Sequence, residues 1–359
     1  MASDRFVEQI RLARATAVTA RELRDEALAA RARCLDVVRQ DRSLRHRIGD
    51  GRLMSGSAEA RPRKDSVNVR VMRMVGRADS ARSLLSHGHL CWAYQDRAEF
   101  LARALECILE GIAIGQRVQY VGSRTVETLR AELAGLDDIE DILEDGDVAV
   151  SPFGDFYRFY SGSDVVDPVA ALAAHVAAAD AAVAAGYTGM RIVADATAVV
   201  RTPEQRDAFA RYEHLLDRQM TVRPLSALCG YDSGQLGCAT VAELACLHPL
   251  ANVGCGPFQL YAEPGVNFAL AGDIDLSCDE LFATTLARVV PLSFEPLPFG
   301  PELVIDGQSL AFIDHRRLLV LIEAAQRVGA TLVLENAPGT AARLIKILKL
   351  SGVRVQARR

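Results

Sequence analysis

Residues 89–122 read HLCWAYQDRAEFLARALECILEGIAIGQRVQYVG. The run from His89 to Tyr94 is short, apolar and aromatic, as a buried strand is. The segment that follows places its apolar residues three and four apart without a proline, as an amphipathic helix does. Gln116 to Gly122 returns to strand character. Strand, helix, strand is the βαβ unit of a parallel sheet. The alternation continues outward through the helix TVETLRAELAGL, the strand VAVSPF and the Ala-rich helix PVAALAAHVAAADAAVAAG. Asp167 can cap that helix, with Pro168 at its first position. The strand GMRIVADA, the helix PEQRDAFARYEHLLDRQM, the strand RPLSALCGYD, the helix around AELACLHPL and the strand FQLYAE are expected to complete the unit.

An open α/β sheet binds its ligands beyond the carboxyl ends of its strands, so function is expected there. Nucleotide binding is the first possibility to test. A phosphate-binding loop needs G-x-x-x-x-G-K-[ST], and no lysine occurs between Lys64 and Lys346. The nearest alternative, Val121-Gly122-Ser123-Arg124-Thr125, is an ordinary strand-to-helix turn and at best a weak anion site. G-x-G-x-x-G, G-x-S-x-G and H-E-x-x-H are all missing. The sequence therefore predicts no enzyme, no catalytic residue, no cofactor and no metal.

His89 and Cys91, two apart on a strand, share a face. They offer a ligand-sensing pair, a reactive thiol beside an imidazole, or two ligands for a soft metal, against a plain buried pair. Asp195, Glu213 and Asp232 fall at or near strand and helix ends and are candidate pocket residues.

Ser86-His87-Gly88-His89-Leu90-Cys91-Trp92-Ala93-Tyr94 resembles the opening of the MEDS family of sensory domains, whose first strand carries His-x-Cys. GYTGMRIVADAT, Tyr212-Glu213, Leu228-Cys229-Gly230-Tyr231-Asp232 and His248-Pro249 agree with it. The resemblance covers residues 81–262. It implies a RecA-like fold that has lost its phosphate loop, and a role in sensing small organic molecules.

Residues 263–359 resemble the STAS domain of anti-sigma-factor antagonists. Gly272-Asp273-Ile274-Asp275 matches that family's G-x-[LIV]-D, and LVIDGQSLAFID leads to the switch position. The family's Asp-Ser-Ser-Gly is here Asp314-His315-Arg316-Arg317. Asp314 can still cap the helix, but the phosphorylatable hydroxyls are gone. Three basic residues are expected to give a partner positive charge and bulk. The implied partner is an anti-sigma factor or another STAS protein.

Residues 1–48 are rich in Ala, Arg, Leu and Glu and predict a helix, either a dimerisation arm or an extension packed on its own chain. Residues 49–80 read as a linker. A net charge of -5 argues against nucleic acid as a partner. No apolar run approaches the roughly 20 residues of a membrane span, and the start is unlike a secretion signal, so the chain is expected in the cytoplasm. The eight cysteines fall mostly in apolar stretches without Cys-x-x-Cys spacing, which predicts structural thiols. The sequence thus predicts an α/β signalling protein whose MEDS-like domain senses a small molecule and whose STAS domain binds protein. The alternatives are a thiol- or metal-based sensor at His89 and Cys91, and an assembly subunit of the stressosome kind.

Overall fold

The computed structural model describes residues 73–357, apart from 83, 137–138, 140–141, 144–147, 253–254 and 294–301. The expected N-terminal helix and most of the linker lie outside the described residues.

The first half builds a seven-stranded sheet. In chain order its elements are β1 (Gly76–Ala78), β2 (His89–Tyr94), α1 (Arg97–Ala113), β3 (Arg117–Gly122), α2 (Val126–Ala134), β4 (Val148–Pro152), α3 (Pro168–Ala184), β5 (Met190–Asp195), α4 (Pro203–Met220), β6 (Leu225–Asp232), α5 (Cys238–Ala245) and β7 (Leu250–Asn252). The strands lie in the order β1-β7-β2-β6-β5-β3-β4, all parallel. The predicted parallel α/β architecture is present, consistent with a RecA-like domain. Strand β1 lies within the stretch read as linker.

Side-chain spacing explains which face each helix covers. Phe100, Ala104, Cys107, Ile108 and Ile112 form one stripe of α1 and are buried against Leu90, Trp92, Val118 and Tyr120. The helices α3, α4 and α5 cover the opposite face. Gly230 is required where α1 crosses β6, because a Cβ there would lie 2.2 Å from the Phe100 ring. Asp167 accepts from the backbone N–H groups of Val169 and Ala170, with Pro168 opening α3 as the sequence predicts.

The second half forms a five-stranded sheet of order β12-β11-β10-β9-β8. Its elements are β8 (Phe258–Tyr261), β9 (Phe268–Ile274), α6 (Asp279–Ser293), β10 (Glu302–Ile313), α7 (His315–Arg327), β11 (Thr331–Glu335), α8 (Gly339–Ile347) and β12 (Val353–Gln356). Strand β8 is antiparallel to β9 and the other pairs are parallel. The strand FQLYAE therefore belongs to the second sheet and not, as expected, to the first. Gly272 permits that pairing: its φ is +88° and a Cβ would lie 2.7 Å from the Pro257 carbonyl oxygen.

The two sheets share one apolar core, which runs from Phe209 and Leu244 to Phe282, Leu286 and Val289. A polar seam crosses the same junction, where α6 packs on α4 and α5. His214 Nε2 lies 2.7 Å from Ser293 Oγ, and Arg218 donates to the Leu292 carbonyl at 2.9 Å. Arg288 bridges Asp207 at 3.2 Å and Glu243 at 2.9 Å.

Candidate functional site

Two constellations stand out, one open and one buried. The open one is a cleft of about 320 Å³ at the carboxyl ends of β2, β3, β5 and β6, lined by Tyr94, Arg97, Arg124, Asp195, Arg201 and Asp232 among others. Each strand turns directly into a helix start, and an Asp or Thr side chain occupies the backbone donors. Asp96 caps α1 through Ala98 N, and Thr125 caps α2 through Thr128 N. Asp195 accepts from Thr197 N and Oγ1, and Asp232 accepts from Gly234 N and Gln235 N. A phosphate would need those same donors, and the capping carboxylates would repel it. After β2 the chain passes into α1 through the short link Gln95-Asp96.

Arg97 spans the cleft floor. It donates to Asp195 at 2.5 Å and to Glu132 at 2.7 Å, and it approaches the phenol oxygens of Tyr120 and Tyr94 at 3.3 and 3.4 Å. Burial, reinforced by the Asp195 charge, pushes Tyr94 up to about 12, so its phenol stays protonated. Arg124 pairs with Glu132 at 2.7 Å and Arg201 donates to Gln235 at 3.2 Å; both stand at the rim.

The buried constellation lies under the opposite face of the sheet. His89 from β2, Glu213 and Asp217 from α4, Cys229 and Tyr231 from β6, and His248 after α5 all lie in the core. His89 Nδ1 meets Asp217 Oδ1 at 3.1 Å, and its Nε2 meets Glu213 Oε2 at 3.1 Å. Tyr231 donates to Glu213 Oε1 at 2.6 Å. Asp217 is also paired with Arg73 and accepts from Ala262 N at 2.7 Å.

Burial alone would lower the His89 pKa, but its hydrogen bonds to Asp217 and Glu213 outweigh that and raise it. Burial opposes ionisation of Asp217 too, yet the Arg73 charge and the His89 bond hold it well below the carboxylate range. Burial, with the neighbouring His89 charge, brings His248 down to about 4, so it is a neutral imidazole. His89, Glu213, Cys229 and His248 each offer one donor atom, all within 4.8 Å of one another.

Residues 88–249 match the family model described as MEDS, the MEthanogen/methylotroph, DcmR Sensory domain. This segment is a MEDS domain. A comparison of the chain with curated proteins gave no match. The matched segment runs from the residue before β2 to the residue before β7, so it holds most of the seven-stranded sheet and both constellations.

The geometry divides the site residues read from the sequence of the MEDS domain. Asp195 and Asp232 line the cleft. Glu213 does not: it sits mid-helix in α4, fully buried, because α4 turns that face onto β2 and β6. His89 and Cys91 do share a face, but both are fully buried and neither lines the cleft. Burial pushes the Cys91 thiol well up, contrary to the activation by a neighbouring imidazole that the pair suggested. The imidazole of His89 turns instead to Glu213, Asp217 and Cys229.

In the C-terminal half Asp314 caps α7 by accepting from Arg317 N at 2.9 Å, as predicted. His315 and Arg316 are exposed, but Arg317 is not the surface cation expected. Its guanidinium is buried between Asp314, at 3.1 Å, and Asp279 at the start of α6. Arg97, Arg201 and His248 went unnamed as site residues in the sequence. Arginines at helix starts and a His before a Pro look the same in any fold, and only the strand order places Arg97 and Arg201 at the cleft and His248 in the buried cluster.

Proposed function

We propose that the chain is a non-catalytic signalling regulator. Its MEDS domain takes up a small polar organic molecule in the cleft, and its C-terminal domain presents the start of α7 to a protein partner in the manner of a STAS-type anti-sigma-factor antagonist. The observation that carries this reading is the path of α4. The helix begins two residues after Arg201 at the cleft rim, behind the Thr202 cap, and runs about 27 Å, at 1.5 Å per residue. From its second turn to its last it packs in the seam with α6, through Asp207, His214 and Arg218. A ligand that favours one placement of Arg201 and the Thr202 cap therefore acts on a rigid rod fixed to the second domain.

The cleft supports binding rather than turnover. Both carboxylates are engaged, Asp195 with Arg97 and Thr197, and Asp232 with Gly234 N, Gln235 N and the Gln235 amide. The alternating donors and acceptors favour a molecule carrying both, over a bare hydrocarbon.

On the output side, Leu276, Phe312 and Leu319 are large apolar side chains exposed at the ends of β9 and β10 and on the first turns of α7, beside His315 and Arg316. Apolar anchors with an exposed arginine suit a protein interface. Asp314 caps that helix without any hydroxyl to phosphorylate, so the reading is of a domain held competent and controlled from the MEDS side. Among the described residues no helix is long and apolar enough to cross a membrane.

The test is calorimetric titration of the full chain with the ATP-binding anti-sigma kinases encoded in the same genome, repeated with Arg316→Glu combined with Leu319→Asp. Saturable binding lost in the double variant supports the reading. Absence of binding to every kinase, or binding indifferent to the substitutions, removes the antagonist role.

A further inference from the structure

We infer that His89, Glu213, Cys229 and His248 form a closed, four-ligand zinc site in the core of the MEDS domain. This goes beyond ligand uptake in the cleft and does not depend on it.

The first support is distance. A tetrahedral zinc ion with bonds of about 2.0–2.3 Å holds its donor atoms roughly 3.3–3.8 Å apart. Here His89 Nε2 lies 3.1 Å from Glu213 Oε2 and 3.6 Å from Cys229 Sγ. Glu213 Oε2 lies 3.9 Å from Cys229 Sγ and 3.8 Å from His248 Nε2. All four atoms fall within 4.8 Å of one another, so an ion needs only small side-chain adjustments.

The second support is an orphan. His248 Nδ1 bonds the Leu244 carbonyl oxygen at 2.9 Å and must carry the proton. Its Nε2 lone pair therefore points into the cluster, where it has no hydrogen-bond partner among the described residues although the residue is fully buried. A buried acceptor left so costs free energy that a metal bond would recover.

The third support is the surrounding shell. Each nitrogen or carboxylate ligand is oriented by a partner on its far side: His89 Nδ1 by Asp217, His248 Nδ1 by Leu244 O, and Glu213 Oε1 by the Tyr231 phenol. Outer partners of this kind fix the tautomer and rotamer of metal ligands. Asp217 is itself neutralised by Arg73.

The charge also balances. Zinc carries two positive charges, the Glu213 carboxylate and the Cys229 thiolate supply two negative ones, and the imidazoles are neutral. The thiol proton of Cys229 and any proton on His89 Nε2 leave to solvent on binding. A neutral cluster is the form that complete burial tolerates. Two nitrogens, one sulfur and one oxygen in a tetrahedron suit zinc. With four protein ligands and no open position, the ion would be structural or regulatory, pinning β2, α4 and β6 to the turn after α5.

Zinc content of the purified, dialysed full chain, and the visible spectrum after cobalt(II) replaces zinc, test the site. The wild type should hold one zinc per chain. Its cobalt form should show intense four-coordinate d–d bands with a thiolate-to-cobalt band. Cys229→Ser should abolish the thiolate band and weaken zinc binding at least tenfold in chelator competition, whereas Cys91→Ser, outside the ligand set, should change neither. Should Cys229→Ser fail to fold, His248→Gln, which keeps the thiolate, should weaken zinc binding likewise and shift the d–d bands. A wild type that takes up neither metal stoichiometrically, or a spectrum unchanged in both ligand variants, overturns the site.

Discussion

Asp217 is the residue whose loss should be felt most widely, because it is fully buried and its two oxygens serve three segments. It pairs with Arg73, accepts from His89 Nδ1 at 3.1 Å and accepts from Ala262 N at 2.7 Å at the end of β8. Asp217→Ala strands a guanidinium that is itself buried and leaves a backbone N–H without an acceptor. Removing one partner of a buried ion pair costs about 3–5 kcal/mol. That is a large share of a domain stability of about 5–15 kcal/mol. Asp217→Asn keeps an acceptor for Ala262 N but drops the charge facing Arg73, and should cost about half as much. Arg73→Met should cost nearly as much as Asp217→Ala, and the double variant clearly less than the sum, because its second change removes the charge stranded by the first. Urea unfolding followed by far-ultraviolet circular dichroism measures all four. A cost below about 1 kcal/mol for Asp217→Ala, or strictly additive costs, would refute the network's role.

Three further outcomes are expected. Gly230→Ala drives a Cβ into the Phe100 ring and should lose about 1–3 kcal/mol, much of it regained with Phe100→Leu, again by urea unfolding. His175 donates through Nε2 to the Phe156 carbonyl and accepts from the Tyr212 phenol, and burial brings it down to about 4. The unfolded chain takes up that proton near 6.5, so the contribution of His175 is full above that pH and declines toward pH 4 by about 3 kcal/mol, at 1.36 kcal/mol per unit; His214 and His248, also brought down to about 4, add to the slope, so His175→Phe should remove only its share in melts at stepped pH. Arg317→Ala should lose about 1–3 kcal/mol by stranding Asp279 and Asp314, whereas Arg316→Ala, on the exposed face, should stay within about 0.5 kcal/mol.

The sheet of the MEDS domain was readable because its strands are short apolar runs between helices with well-marked ends, such as Asp167-Pro168 and Thr202-Pro203. The exceptions are short. Strands β1 and β7 have three residues each, too few for a periodicity to show. Strand β8 changed sheets because pairing partner is not a local property. The cleft residues Asp195 and Asp232 were found by a rule about strand ends. Glu213 was picked for the same reason and belongs elsewhere, since a helix position says nothing about which neighbours its face meets. The buried cluster draws on four separate segments of chain, and spacing alone could not have joined His89 to Cys229 and His248. Arg317 shows the limit of reading charge as surface: one residue after exposed Arg316, helix geometry turns it inward onto Asp279.

Whether the state of the cleft is carried by α4 to the C-terminal domain, as proposed, is tested by hydrogen–deuterium exchange of the full chain without knowledge of the natural ligand. Ala198 lines the cleft, and Ala198→Trp fills it as an occupant would. Coupling through α4 should alter exchange in the second half of α4, in α6 and at the ends of β9 and β10. Changes confined to the turns lining the cleft, with the α4–α6 seam exchanging as in the wild type, would contradict it.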